Sequence, residues 1–182
     1  HSDIDTVISD NYYDSYLMTD QLVQRGHRKI GFIGTVTATS SIHDRFLGYI
    51  KCLMENGLEY RSEWTLEDRL PNGHILTEFA FPEEMPTAFV CNCDETAFRV
   101  IGALQRRDLR VPEDISIFGF SDGFRAIASD PQLTSVNQRG EIVGSEAVDI
   151  LIDEVEGKLP VDRVNKRIVK TSLVIRGTTR PL

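Results

Sequence analysis

Three apolar runs, KIGFIG at 29–34, TAFVCN at 87–92 and ISIFGF at 115–120, break off in the same way, into TVTATSS, CDET and SDG. Continuous apolar runs of this length are how strands buried on both faces of a parallel sheet read. Open α/β sheets bind ligands at the carboxyl ends of their strands, so the three polar tips form the candidate binding site.

Between the runs the apolar period changes from that of a strand to that of a helix. Residues 12–25 predict a helix stopped at Gly26, with basic residues in its last turn. Ile42, Phe46, Tyr49, Ile50 and Leu53 recur at helical spacing up to the Asn56-Gly57 stop. Thr96, Ala97, Val100, Ile101 and Leu104 mark a third helix, for which Asp94 is the expected cap. The stretch from Glu59 to Pro82 is less regular. A strand is expected at Trp64-Thr65-Leu66 and a short helix at Ile75–Phe79, cut off by Pro82. Short loops between repeated β-α units imply a doubly wound α/β fold, a parallel sheet flanked by helices on both faces. The last third departs from this repeat. Leu133–Val136 reads as a short apolar connection, residues 141–155 as a helix with Val143, Ala147, Ile150 and Leu151 on one face, and Arg167–Val174 as a strand.

Composition narrows the function classes. No apolar stretch approaches the roughly 20 residues of a membrane span. A net charge of -8 argues against this chain gripping a phosphate backbone unaided. Cys52, Cys91 and Cys93 lack metal-ligand spacing and read as free thiols of a reduced compartment. His1, His27, His43 and His74 are scattered, and no Ser, His and Asp arrangement stands out; His1 reads as an expression remnant or the first residue of a cut fragment. There is no Gly-x-Gly-x-x-Gly or Walker pattern, so no catalytic residue, metal or cofactor is expected.

The succession DNYYDSYLMTDQLVQRGHRKIGFIG, DRFLGY, PTAFVCNCDETAFRVIGALQRRDLRVPEDISIFGFSD, PQLTSVNQ and TSLVIRGTTRP, from about Asp10 to Pro181, resembles the effector-binding core of the lactose-repressor (LacI/GalR) family of bacterial transcription regulators. The resemblance implies a periplasmic-binding-protein-like fold of two α/β lobes joined by three crossovers, in a cytoplasmic, homodimeric regulator. Its DNA-binding domain and most of its N-terminal lobe would lie outside this chain, so operator DNA would be met only through that absent domain. By this alignment residues 1–10 are the first crossover and 11–133 the C-terminal lobe. Residues 134–160 return to the N-terminal lobe, and 161–182 hold the third crossover and the closing strand. A periplasmic sugar receptor shares the fold and stays open as an alternative; an enzyme on a doubly wound sheet is the weaker one.

The resemblance also weights the tips. Ser41 and Arg45 sit at the first, and Arg45, three residues before Gly48, occupies the place of a family arginine that contacts effector. A guanidinium offers five donors in a planar fork, suited to paired sugar hydroxyls or a carboxylate. Asp122 at the third tip matches a family aspartate that accepts hydrogen bonds from the effector, and Asp-Gly is also a common turn. Asp94 at the second tip is equally a ligand contact or a plain cap, and Cys93 replaces an asparagine common in the family. The family's aromatic platform falls at about Glu67–Gly73, where this chain has none. Trp64 lies slightly upstream and is expected to pack in the core. That lack favours a sugar or sugar phosphate over a purine.

Overall fold

The computed structural model describes residues 4–159 and 163–182. His1–Asp3 and Pro160–Asp162, where the start of the first crossover, the end of the returning segment and the start of the third crossover are expected, lie outside the described residues. In chain order the elements are β1 (Thr6–Ser9), α1 (Asn11–Gln24), β2 (Ile30–Ile33), α2 (Ser40–Glu55), β3 (Thr65–Leu66), β4 (Ala88–Cys91), α3 (Asp94–Gln105), β5 (Ser116–Phe118), α4 (Phe124–Ala128), β6 (Ser135–Asn137), α5 (Gly140–Val155), β7 (Lys166–Val169) and β8 (Ser172–Val174). A single 3-10 turn, Ser62–Trp64, precedes β3.

The chain forms two compact units. One holds the segment up to Asp10 and Gln138–Ser172, the other Asn11–Asn137 and Leu173–Leu182. In the larger unit the strands run β3-β2-β4-β5, all parallel. Alternation along these strands sorts the core onto two faces. Ile30, Phe32, Ala88, Val90 and Phe118 face Met18 and Leu22 of α1 and Tyr49 and Leu53 of α2. Ile33, Phe89, Cys91 and Ile117 face Ala97, Val100 and Leu104 of α3. Each large side chain fully buried in this way contributes about 1.5–3 kcal/mol. This is the doubly wound arrangement that the apolar runs predict.

In the smaller unit β1 and β7 pair in parallel, Thr6 opposite Lys166 through Ser9 opposite Val169. The helix α5 packs against both. Of its expected apolar face Ile150 is buried, whereas Leu151 is 59% exposed.

Several expectations are corrected. Ile75–Phe79 is not a helix: Ile75 bridges antiparallel to Arg69, and a turn at Pro71–Gly73 joins them. Arg167–Val174 is two strands, β7 and β8, because the chain passes between units at Ser172–Leu173. The connection at Leu133–Val136 contributes a strand, β6, which pairs with β8. Helix α1 ends at Gln24, so Arg25 falls just outside its last turn. Trp64 packs in the core, its Nε1 donating to the Glu84 carbonyl at 2.8 Å.

His27, just past α1, is buried with its ring nitrogens 2.9 Å from Thr87 Oγ1 and 3.1 Å from the Arg180 carbonyl oxygen. Burial holds it below its ordinary value of 6.5. The unfolded chain therefore takes up this proton at a higher pH than the folded one. The stability His27 contributes is complete above pH 6.5 and declines as the pH falls through that value. The melting temperature should drop more steeply below this point in the wild type than in His27→Gln. Equal slopes would show that His27 is not the group responsible.

Candidate functional site

The wall of strand tips in the larger unit is built around Arg45, in the second turn of α2. Thr39 caps this helix, accepting from the Ile42 N–H at 3.2 Å, and Ser41 Oγ lies 3.0 Å from Thr39 Oγ1. From there α2 carries Arg45 over the tips of the neighbouring strands. Its Nε and Nη2 donate to Asn11 Oδ1 at 2.9 and 2.7 Å, its Nη1 donates to the Asn92 carbonyl, and its guanidinium lies 3.8 Å from the centre of the Phe120 ring. Burial pulls Arg45 down to about 10, which leaves it charged at neutral pH. Three of the five donors of a guanidinium are thus engaged among the described residues, and two remain. The fork is held on several sides before any ligand arrives.

At the third tip Ser121 and Asp122 have φ of 130° and 55°. Non-glycine residues seldom adopt such angles, and consecutive ones persist only where surrounding contacts fix them. Here Ser121 N–H donates to the Val136 carbonyl at 3.0 Å and Asp122 N–H to Ser135 Oγ at 3.1 Å. The Asp122 carboxylate accepts from Arg176 Nη1 at 2.6 Å and from Asn137 Nδ2 at 3.0 Å, and its side chain is only 4% exposed. Its lone pairs are shared with protein donors from the outset.

Asp94 is not the cap of α3. Cys93 holds that position, its Sγ accepting from the Thr96 N–H, and Asp94 is the first helical residue. Its carboxylate accepts from Ser135 Oγ at 2.6 Å and from the Gly123 N–H at 3.0 Å, which ties the second tip to the third. Burial raises its pKa, against the lowering effect of these two donors.

Sequence reasoning missed Asp68 and Arg69, just past β3. Asp68 is fully buried and accepts from the Thr35 N–H (2.8 Å), Asn92 Nδ2 (2.9 Å), Thr96 Oγ1 (2.7 Å) and Arg69 Nε and Nη2 (both 2.9 Å). Burial alone would raise its pKa, yet these donors hold it well below the ordinary carboxylate range. The pair fixes Arg69 at the edge of a cavity of about 540 Å³ lined by Thr35, Thr37, Thr39, Glu67 and Leu70 among others. In the Glu67–Gly73 stretch, where the resemblance implies an aromatic platform that this chain lacks, the chain sets a pinned arginine. Among the described residues no group of three or more His, Cys, Asp or Glu is placed to hold a metal ion. No helix among them is long and apolar enough to cross a membrane.

The carboxyl edge of a parallel sheet, which here carries polar, pre-positioned side chains, is where open α/β folds take their ligands. The chain belongs to the periplasmic binding protein-like domain family, whose profile matches residues 19–179. It is 30% identical over 185 residues to the HTH-type transcriptional repressor PurR of Glaesserella parasuis serovar 5 (strain SH0165), covering 98% of this chain and 54% of that protein. It is 32% identical over 181 residues to the arabinose metabolism transcriptional repressor of Geobacillus stearothermophilus, covering 95% and 49%. The chain therefore spans about half the length of these relatives. The structure of a LacI family transcriptional regulator from Enterococcus faecium with bound ribose superposes with a TM-score of 0.83 at 21% identity, covering 98% of this chain and 66% of that one. That likeness shows the fold.

Proposed function

We propose that this chain is the effector-sensing part of a LacI-type repressor, binding a small polar ligand and not transforming it. The single observation that carries the reading is Arg45, a charged fork cradled at the carboxyl edge of a parallel sheet with two donors still to give. Arg45, Ser41 and Asp122 would meet the effector, and Asp94, with both oxygens engaged, would fix the Gly123 turn beside it. The threonine-rich cavity edged by Glu67 and Arg69 suits hydroxyls better than a flat purine, and the ribose of the Enterococcus neighbour points the same way. Operator DNA would be contacted by another part of the intact, cytoplasmic and dimeric protein, and the effector would act by preferring one of its arrangements.

The test is thermal melting with ribose, arabinose, cellobiose and glucose 6-phosphate, each variant read against its own unliganded melting point. A sugar at about 100 times its Kd should stabilise the wild type by about 2.7 kcal/mol. Arg45→Ala should lose that shift. Asp122→Asn should lose it too, and should also melt lower without ligand, because it breaks the buried pair with Arg176. A full ligand shift in both variants would overturn the site.

A further inference from the structure

The chain passes between its two units three times, at Asp10–Asn11, Asn137–Gln138 and Ser172–Leu173. At each passage a residue on the larger unit's side is gripped by a side chain proposed to hold the effector. Asn11, the first residue after the first passage, accepts from both Nε and Nη2 of Arg45. Asn137, the last residue before the second, donates to Asp122 Oδ2. Arg176, shortly after the third, donates to Asp122 Oδ1 and to the Leu133 carbonyl at 2.7 Å, while its own N–H donates to Thr134 Oγ1 at 2.8 Å.

We infer that Asn11, Asn137 and Arg176 are positioning residues of the effector wall, so that Arg45 and Asp122 set the ligand's grip and the three inter-unit connections with the same bonds. The inference rests on the proposed function for its ligand and deepens it by locating the regulation of that site. None of the three residues needs to touch the effector. Asn11 takes two of the three hydrogen bonds that hold the Arg45 fork, and Asp122 shares its carboxylate between two donors from the second and third connections. A change in either connection alters what the wall offers a ligand, and by linkage the ligand alters the connections by the same factor. The placement is economical in residues: two side chains serve three passages. Their partners lie 34, 15 and 54 positions away in sequence, so these bonds are made by the fold and not by local turns.

Amide hydrogen exchange on the unliganded chain tests this without knowing the effector. Arg45→Ala should speed exchange in the peptide spanning Ser9–Asn11 roughly tenfold or more, the scale of losing a hydrogen bond to a charged group. Exchange at Thr171–Arg176 should change little in that variant. Asp122→Asn should do the reverse, loosening the peptides around Asn137 and Arg176 and sparing Ser9–Asn11. Asn11→Ala should reproduce the Arg45→Ala pattern, and Asn11→Asp, which keeps an acceptor for both nitrogens, should restore slow exchange. Unchanged exchange at the passages in Arg45→Ala and Asp122→Asn overturns the inference. So does acceleration spread evenly over the larger unit, α3 included, which marks general softening. Either result leaves the effector reading standing, since that reading fails only on the melting shifts.

Discussion

Asp68→Ala is expected to destabilise the chain by about 3–5 kcal/mol, the scale of removing one partner from a buried ion pair. Asp68 is wholly buried and its side chain collects five hydrogen bonds, from β2's following loop, β4's tip, α3 and Arg69. Without it, Asn92 Nδ2 and Thr96 Oγ1 lose their acceptor in a buried site, and the Arg69 guanidinium loses its counter-charge. Urea unfolding measures the loss, and a change below about 1 kcal/mol would contradict the role assigned to the carboxylate. The pH dependence has a fixed sign. Because the folded pKa lies below the ordinary 3.8, the contribution is present above that value and fades as the pH falls toward the folded one. Asp68→Asn should remove that part of the acid profile while costing less than Asp68→Ala at neutral pH.

The pairing also explains why Asp68 escaped the sequence. It sits in Glu67-Asp68-Arg69, a charged run in an aperiodic stretch, which looks like solvated surface. Its burial comes from Thr35, Asn92 and Thr96, residues 24 to 33 positions away, and no local pattern reports such contacts. Arg45 and Asp122 were legible for the opposite reason. The strand-end rule needs only the order of elements and marks the tips, and the resemblance then singles out Arg45, three residues before Gly48, and Asp122, directly after an apolar run and Ser121. What the rule leaves out is how each is held. Asn11 and Arg176 appear as an ordinary helix start and a basic residue near the chain's end, and only the fold brings them to the wall. The strand at 167–174 was read as one because its period-2 alternation continues through Thr171. Alternation records which face a residue takes, not which sheet it joins.

Gly48→Ala and Gly102→Ala should move stability in opposite directions, although both glycines lie inside helices. Alanine gains about 1 kcal/mol over glycine in a helix interior wherever its methyl group has room. At Gly102 in α3 the nearest foreign atom to such a methyl is Arg106 Nη1, 3.6 Å away and at the end of a flexible side chain, so the gain should be realised. At Gly48 in α2 the methyl would fall well inside van der Waals contact of the Tyr12 carbonyl oxygen and 3.0 Å from Tyr16 N. Both obstacles are backbone of α1, which cannot rotate away, so the two helices must separate. Overpacking of this kind costs about 1–3 kcal/mol and exceeds the propensity gain. The damage should reach the site as well, since Tyr12 follows Asn11 and Gly48 lies one turn beyond Arg45. Moving α1 outward draws Asn11 Oδ1 from its 2.9 and 2.7 Å contacts with the guanidinium. Gly48→Ala should therefore melt lower and also bind ligand more weakly than its lost stability alone requires, whereas Gly102→Ala should keep the full ligand shift. If both variants gain stability, α1 and α2 are not packed as closely as the contact at Gly48 requires, and the cradle around Arg45 loses its physical basis.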